Sequence, residues 1–359
     1  MSSLQATHAQ IPFSRPATPG GSPQQVGFVG IGAMGYFMAR NLATRRAQAG
    51  QVPNPPVIIW NRTPEKSAKL AAELGPDRIR IAETLEEVAT ECDIIISCLA
   101  NDTIVKNIYQ DFAKALTDLP PVKNKIFVES STIYPSLAGE LDTMLSAIPH
   151  THLITCPVFG TPAVADQANL LIIMAGDYRS KKEVAHLLVP AVGRKVIDLG
   201  ENLEKAPTFK LIGNSVILGQ LEILGEAFTL GEKAGIGGNL VNQLIKEIVP
   251  APGTIAYADR MANDNFDGSV GFAINGGIKD ASHIRRLTAE LNAPMPAIDI
   301  AHQHLITARA LHTAQKNEGK KVVDTLDWSG IVAGSRVAAG LDGFDSKKHL
   351  QNVQLELDD

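Results

Sequence analysis

A glycine-rich turn between an apolar strand and a helix constrains this chain more than any other feature. The apolar run Val26–Val29 precedes a Gly-x-Gly-x-x-Gly motif, and a helix-like segment follows it. In this arrangement the first glycine permits a tight turn, the second lets the backbone approach a pyrophosphate, and the third allows close packing of helix on strand. The helix N-terminus also offers free N–H groups to the phosphates. The pattern therefore predicts a dinucleotide site at Gly30, Ile31, Gly32, Ala33, Met34 and Gly35.

The end of the next strand indicates which dinucleotide binds. Val57–Trp60 is a second apolar run, and Asn61, Arg62 and Thr63 follow it. At this position an acidic residue hydrogen-bonds the ribose 2′-hydroxyl of NAD, whereas an arginine accommodates the 2′-phosphate of NADP. We therefore predict that these three residues contact the cofactor and that the cofactor is NADP(H). The alternative is that Arg62 is only a solvated turn residue.

Length and composition are typical of a globular protein with two domains. The chain has 359 residues and a net charge of −5, which gives no broad basic field for nucleic acid. No window approaches the roughly 20 apolar residues that span a bilayer. Three cysteines, Cys92, Cys98 and Cys156, indicate reduced thiols in an intracellular protein. No Cys/His cluster has metal-ligand spacing, so we expect no nucleic-acid, membrane or metal partner.

The two ends of the chain differ from the rest in composition. Residues 1–24 are rich in proline, glycine and serine, which predicts a disordered or loosely packed tail. The prolines in this segment oppose the amphipathic helix of a mitochondrial presequence. The expected location is therefore cytoplasmic, with a mitochondrial one as the weaker alternative. Residues 344–359 are polar and predict a C-terminal tail that forms either a short solvated helix or a frayed end.

The part between the tails shows two patterns in succession. From residue 25 to 203, short β-branched runs alternate with helix-like segments, which predicts an α/β fold with a doubly wound, mostly parallel Rossmann-type sheet. The expected strands are Val26–Val29, Val57–Trp60, Ile79–Ile81, Asp93–Cys98, Lys125–Glu129, His152–Val158, Leu170–Ala175 and Lys195–Leu199. From residue 204 to 343 the strands stop, and an all-helical domain for substrate binding and dimerisation is expected.

The helical domain begins with a long apolar segment. Ala206–Ala234 predicts one helix, and its apolar character predicts a buried spine. Further helices are expected at Leu240–Val249, Ile255–Ala262, Ile278–Leu291 and Met295–His312. A domain of this size and apolar content is expected to complete its core with a second copy, so we predict a homodimer through the helical domain.

Five motifs in a fixed order resemble those of the β-hydroxyacid dehydrogenase family, which includes 3-hydroxyisobutyrate dehydrogenase and glyoxylate/succinic semialdehyde reductases. The resemblance extends from about Val26 to about Ala333. The motifs are Gly30–Gly35, Ser131-Thr132-Ile133-Tyr134-Pro135, Pro157-Val158-Phe159-Gly160, Lys210-Leu211-Ile212-Gly213-Asn214, and Phe272 with Lys279-Asp280. Each motif alone is a weak signal, whereas the ordered set is specific. The resemblance implies an NADP-binding domain of the 6-phosphogluconate dehydrogenase type and hydride transfer at a carbonyl.

The resemblance assigns catalysis to Lys210 and Asn214. Members of the family use such a lysine as the general acid that protonates the carbonyl oxygen, and the asparagine binds the same oxygen or the substrate. Residues four apart share one face of a helix, and apolar neighbours indicate partial desolvation of the lysine. The alternative is a surface lysine whose stem lies along a helix start.

The remaining motifs supply the expected cofactor and substrate contacts. Thr132 is implied to contact the nicotinamide ribose, Lys279 to reach the cofactor, and Ser131, Phe272 and Asp280 to line the substrate site. The stretch Leu99, Ala100 and Asn101 follows the fourth expected strand and should line the cofactor. Each contact has an ordinary structural alternative. Ser131 and Thr132 could form a Ser/Thr turn, and Asn101 could cap a helix. Phe272 could be a core aromatic, and Lys279 with Asp280 a solvated pair on a helix.

The chain departs from the family at Phe159. Members usually carry a serine there, whose hydroxyl holds the substrate carboxylate together with neighbouring N–H groups. Phenylalanine has no hydrogen-bonding group, and its ring occupies space in the pocket. Backbone N–H groups at Gly160 and Thr161 remain available for an anion. A bulkier or less polar carbonyl compound is therefore at least as well suited as a small hydroxy acid such as those derived from glyoxylate.

Three functions are compatible with these residues. The leading prediction is an NADPH-dependent reductase of an aldehyde or keto group, including that of a short acid, with Lys210 as general acid. The alternative is an imine reductase on the same two-domain scaffold, a class that usually has another residue type at the lysine position. The third is a non-catalytic NADPH-binding dimer, against which the retained Lys210 argues.

Overall fold

The computed structural model of the chain describes residues 11–14, 24–45 and 53–349. Over these residues the chain divides into two units, the first ending at Lys210 and the second beginning at Leu211. The boundary expected between residues 203 and 204 lies slightly earlier, because one helix continues without a break from the first unit into the second. Each unit has its own apolar core.

Apolar runs form the sheet of the first unit. The strands are β1 Val26–Val29, β2 Val57–Trp60, β3 Ile79–Ile81, β4 Ile94–Ser97, β5 Lys125–Glu129, β6 Thr151–Thr155, β7 Val158–Phe159, β8 Leu170–Gly176 and β9 Gly193–Asp198. Their order is β3-β2-β1-β4-β5-β6-β8-β7, and β9 pairs with β8. Strands β1 to β6 are parallel to one another. This arrangement confirms the predicted doubly wound α/β fold.

Helices cover both faces of this sheet. They are α1 Ala33–Thr44, α2 Pro64–Leu74, α3 Leu85–Glu91, α4 Asp102–Asp118, α5 Pro135–Ser146, α6 Pro162–Asp166 and α7 Tyr178–Leu188. Side chains alternate between the two faces along each strand. In β1, for example, Phe28 packs into one core cluster and Val29 into the other. The near-continuous apolar strands of the sequence follow from this two-sided burial.

The run expected as one strand at His152–Val158 is two strands. Strand β6 ends at Thr155, and β7 begins at Val158. Pro157 between them has no N–H group with which to continue a ladder. The chain then changes partner, and both β6 and β7 pair antiparallel with β8. This break places Phe159 at the end of β7.

The second unit is helical. Its helices are α8 Lys205–Lys233, which starts in the first unit, α9 Gly238–Ile248, α10 Pro252–Ala262, α11 Ile274–Glu290, α12 Pro296–Asn317 and α13 Val332–Ala338. A 3-10 turn at Trp328–Ile331 precedes α13, and another covers Ser346–Lys348. The core of the unit includes Phe228, Leu305 and Trp328. Within the described ranges, no helix has the length and apolar content required to cross a membrane.

Within the single chain, helix α8 is buried on one face and exposed on another, so the predicted buried spine is found only in part. Leu218, Leu221 and Phe228 lie in the core. On another face Ile212, Val216, Ile223 and Leu230 are between 52% and 71% exposed. Their spacing places them within a narrow sector of the helix. We refer to these four residues as the α8 stripe.

Both expected tails include packed residues. Phe13 is buried in the core of the first unit, with its ring centroid 5.7 Å from that of Tyr178. The ring of Phe344 lies 5.8 Å from that of Phe266 in the second unit. The expectation of a loose tail is therefore wrong for residues 11–14, because Phe13 fills a place in the core. In the C-terminal segment Phe344 packs against the second unit, whereas Lys347 and Lys348 of the following 3-10 turn are exposed, as expected of a short solvated helix. The other residues of both tails lie outside the described ranges.

Candidate active site

The glycine turn after β1 has the steric demands of a dinucleotide site. Gly30 has φ of +101°, a left-handed value that favours glycine, and a Cβ there would lie 2.3 Å from the carbonyl oxygen of Cys98. A Cβ at Gly35 would lie 1.9 Å from the carbonyl oxygen of Gly30. Around Gly32, no described atom lies within 4 Å of an added Cβ. The packing of the turn thus requires the first and third glycines, whereas the backbone at the second is open to an approaching phosphate.

The residues between these glycines have separate roles. Ile31 is buried in the core of the first unit, and Met34 packs against that core from the first turn of α1. Ala33 is exposed where α1 begins. The N-terminus of α1, with its unpaired N–H groups, therefore lies beside the open face of the turn. These features fit a dinucleotide pyrophosphate.

Asn61 joins the end of β2 to the glycine turn. Its Oδ1 accepts a hydrogen bond from the N–H of Ile31 at 2.9 Å, and its Nδ2 donates to the carbonyl oxygen of Thr63 at 2.9 Å. The Asn61 side chain therefore holds both the backbone of the glycine turn and the backbone that follows β2. Arg62 and Thr63 are exposed next to it. Within the described part of the chain, Arg62 makes no hydrogen bond or ion pair, so its guanidinium is available to a phosphate.

A buried carboxylate organises the loops that follow β4 and β5. Glu129, the last residue of β5, accepts hydrogen bonds from the Ser97 hydroxyl at 2.7 Å and from the Ser131 N–H at 2.6 Å. The Ser131 hydroxyl in turn accepts from the N–H of Leu99 at 2.7 Å. Burial raises the pKa of the Glu129 carboxyl, although Ser131, Ser97 and Tyr109 hydrogen-bond to it and oppose that shift. Glu129 was not among the predicted site residues, and its only signal in the sequence is an acidic residue closing an apolar strand.

These bonds change the role expected for two residues. Ser131 is 3% exposed, and its hydroxyl positions Leu99 rather than facing a substrate. The side chain of Asn101 caps α4 by accepting from the N–H of Ile104 at 3.0 Å. The helix cap given above as the alternative for Asn101 is therefore observed, whereas the Ser131 hydroxyl bonds a neighbouring loop and does not form the Ser/Thr turn given as its alternative. Ala100 is exposed and Thr132 half-buried at the same carboxyl edge of the sheet, which is where ligands bind in such folds.

At the end of β7, Phe159, the residue that departs from the family pattern, contacts Lys210, the expected general acid. Phe159 pairs with Leu171 of β8, and its ring joins a small apolar cluster that includes Ala206 of α8. Lys210 lies one turn beyond Ala206 on the same helix face. Its Nζ is 4.1 Å from the centroid of the Phe159 ring, which is a cation–π contact.

Gly160 and Thr161 continue this loop and are exposed. Gly160 has φ of +145°, and a Cβ there would lie 2.5 Å from Leu170 Cδ2. Glycine is therefore required by both conformation and packing. Thr161 precedes the short helix α6, and its side chain makes no cap hydrogen bond.

The second unit holds the other polar group of the expected site. Asn214, one turn beyond Lys210 on α8, is buried, and its Nδ2 donates to Asp280 Oδ2 at 2.7 Å. Lys279 Nζ lies 3.0 Å from Asp280 Oδ1. Asp280 is 1% exposed, so it orients Asn214 and pairs with Lys279 instead of lining a pocket for substrate. The second hydrogen of the Asn214 amide remains a potential donor.

Phe272 is half-buried and packs against the core of the second unit. Its ring packs edge-on against Trp328 with centroids 4.7 Å apart. Its N–H donates to Asp327 Oδ2 at 2.8 Å, and Asp327 also accepts from the N–H and hydroxyl of Ser329. Phe272 thus has a structural role in packing, and its contact with a substrate stays a prediction. The fully buried Asp327, which holds this segment, had no distinct signal in the sequence.

A family model described as the NAD binding domain of 6-phosphogluconate dehydrogenase matches residues 25–200, and a second, described as NAD-binding of NADP-dependent 3-hydroxyisobutyrate dehydrogenase, matches residues 205–325. Among curated relatives, the NADH-dependent oxidoreductase ucdB of Aspergillus ustus is 27% identical over 309 residues, which are 86% of this chain and 98% of that protein.

Solved structures share the fold. The 3-hydroxyisobutyrate dehydrogenase of Mycobacterium tuberculosis, solved with L-serine, has a TM-score of 0.67 at 23% identity and covers 87% of this chain and 98% of its own. A reductive aminase of Aspergillus terreus, solved with NADPH and ethyl-5-oxohexanoate, has a TM-score of 0.51 at 17% identity and covers 86% and 98%. The two matched models span both units in the order expected from the motifs, and the chain belongs to the β-hydroxyacid dehydrogenase family of NAD(P)-binding oxidoreductases.

Proposed function

We propose that the protein is an NADPH-dependent reductase of carbonyl compounds in which Lys210 is the general acid. The observation that carries this proposal is the pair of polar groups on one face of α8. Lys210 Nζ is held against the Phe159 ring, and the Asn214 amide is oriented by Asp280. An ammonium can protonate a carbonyl oxygen that gains negative charge, and an amide N–H one helical turn away can donate a hydrogen bond to the same oxygen.

The proposed chemistry divides between cofactor and protein. NADPH supplies the hydride that forms the new C–H bond at the carbonyl carbon. As the C=O π electrons move to oxygen, Lys210 gives that oxygen a proton and becomes neutral. The free N–H of the Asn214 amide holds the oxygen throughout. The buried Glu129 network keeps the Leu99 and Ser131 backbones in place at the edge where the cofactor would lie.

The test of this function is an initial-rate assay of NADPH consumption. The substrates are a panel of aldehydes, ketones, keto acids and cyclic imines. We expect turnover with members of the carbonyl classes. Turnover with cyclic imines alone would favour the imine reductase alternative. Tight NADPH binding without turnover of any compound would favour a non-catalytic role.

The choice of NADPH rests on Arg62. Replacing Arg62 by alanine should raise the Kd for NADPH about 10- to 100-fold, because hydrogen bonds to a charged phosphate contribute roughly 1.5–3 kcal/mol. The Kd for NADH should change little. Both constants can be measured by nicotinamide fluorescence titration. Arg194, an exposed arginine on β9, provides the matched control, and Arg194→Ala should change neither constant. A wild-type protein that binds NADH as tightly as NADPH would contradict the assignment.

The α8 stripe supports the proposal of a homodimer. Four apolar side chains in one narrow sector form a patch of the kind that associates with a second copy. The double variant Val216→Glu with Ile223→Glu should weaken association by about a hundredfold or more, because each buried aliphatic side chain contributes roughly 1.5–3 kcal/mol. Light scattering should then report a monomer. Val122→Glu, in an exposed loop of the first unit, is the control that should remain dimeric, and a monomeric wild-type protein would refute the proposal.

A further inference from the structure

The contact between Lys210 and Phe159 joins the proposed general acid to the residue at which this chain departs from its family. Nζ lies 4.1 Å from the ring centroid, well inside the roughly 6 Å range of a cation–π interaction. Both residues belong to the first unit. The position where relatives usually carry an anion-binding hydroxyl thus carries a π face that attracts the ammonium.

The ring is fixed by its surroundings. Phe159 is paired in register with Leu171, and its cluster includes Ile173, Ala175 and Ala206. Ala206 also lies on the face of α8 that carries Lys210. The β7–β8 pairing and the cluster therefore place the Phe159 ring beside the start of α8, where Lys210 Nζ contacts it. A flexible lysine side chain that has a preferred contact loses less conformational freedom when it reaches the reacting position.

The same ring changes which substrates the loop can accept. A phenyl group neither donates nor accepts a conventional hydrogen bond. A substrate carboxylate placed here could still meet the Gly160 and Thr161 N–H groups, but it would lose hydration against the ring and gain no donor from this side chain, which is costly for a charged group. An uncharged substituent has no such cost and gains apolar contact with the ring.

We propose that Phe159 is a positioning and specificity-determining residue, whose ring holds the Lys210 ammonium and selects aldehydes or ketones with an uncharged substituent over those with a carboxylate. This inference rests on the proposed carbonyl reduction and narrows it to a substrate class. Lys210 remains the catalytic residue. Phe159 affects the reaction by positioning Lys210 and affects substrate choice by the shape and polarity that it gives the loop.

The experiment compares two substrates that differ in one charge, succinic semialdehyde and its methyl ester. For the wild-type protein, kcat/KM for the ester should exceed that for the acid by about tenfold or more. Phe159→Ser restores the hydroxyl usual in the family and should reverse this preference. Phe159→Leu keeps apolar bulk without a π face, so it should retain the preference for the ester but lower kcat about 3- to 30-fold. Phe159→Tyr keeps the ring, so its kcat should be close to that of the wild-type protein.

Two controls separate positioning from damage to the fold. Each variant is required to retain the wild-type Kd for NADPH and melting temperature, and Phe159→Met is the second ring-free variant if the leucine variant fails to fold. A ring-free variant with wild-type kcat would overturn the positioning role. Better reduction of the acid than of the ester by the wild-type protein would overturn the substrate class while leaving carbonyl reduction intact. Failure of the wild-type protein to reduce any carbonyl compound would instead refute the proposed function itself.

Discussion

Replacing Lys210 by methionine should lower kcat for carbonyl reduction by about two to four orders of magnitude, the usual effect of removing a general acid. Methionine preserves the length and apolar stem of the side chain, so packing against Phe159 should survive. The alkoxide that forms after hydride transfer would then take its proton from water, without a donor held in position. Stopped-flow measurement of NADPH oxidation would report the chemical step directly.

Two further variants identify the cause of the loss. Lys210→Arg keeps a positive charge but cannot release a proton, since the guanidinium stays protonated in proteins. It should therefore be nearly as impaired as the methionine variant. Lys205→Met removes an exposed lysine from the first turn of the same helix and should leave kcat unchanged. If Lys210→Met retained near-normal kcat, Lys210 would have no place in the mechanism.

Replacing Arg336 by methionine should lower the free energy of unfolding by about 3–5 kcal/mol, because the buried carboxylate of Glu232 then loses its arginine partner. Arg336 is fully buried in the second unit. Its Nη2 and Nε contact the two oxygens of Glu232 at 2.6 and 3.0 Å, and its Nη1 contacts Asp264 Oδ1 at 2.8 Å. Asp264 also accepts hydrogen bonds from the N–H and hydroxyl of Ser346. The guanidinium thus joins α8, the end of α10, α13 and the C-terminal segment.

Urea unfolding at fixed protein concentration measures this loss. The double variant Arg336→Met with Glu232→Leu should recover much of the stability, since it removes both charges of the buried pair. Lys106→Met breaks an ion pair with Glu140 in which both side chains are about half exposed, and it should cost less than about 1 kcal/mol. Equal effects of the Arg336 and Lys106 substitutions would contradict the account of this network.

The fold could be predicted because its signals are local. Alternating apolar runs and amphipathic segments indicate strands and helices from neighbouring residues alone, and the strands Val26–Val29 and Val57–Trp60 have the expected bounds. The glycine turn is also recognisable from neighbouring residues, although the close packing of Gly30 against the carbonyl oxygen of Cys98 appears only in the folded chain. The family assignment follows from the order of such local motifs.

The details of the site could not be predicted, because they depend on contacts between residues distant in sequence. The bond between Ser131 and Leu99 depends on strands β4 and β5 ending side by side. The contact between Phe159 and Lys210 depends on where α8 begins relative to β7. The exposure of one face of α8 could not be predicted either. Apolar composition alone does not distinguish a surface buried within the chain from one that binds a partner.

The central claim is that hydride passes from NADPH to a carbonyl carbon. Its most direct test uses NADPH labelled with deuterium on the transferred face of the nicotinamide C4 and the methyl ester of succinic semialdehyde as substrate. Mass spectrometry of the product alcohol should show one deuterium on the carbon that carried the carbonyl oxygen, at a yield equal to the NADPH consumed. An alcohol without deuterium, or consumption of NADPH without formation of the alcohol, would contradict the claim.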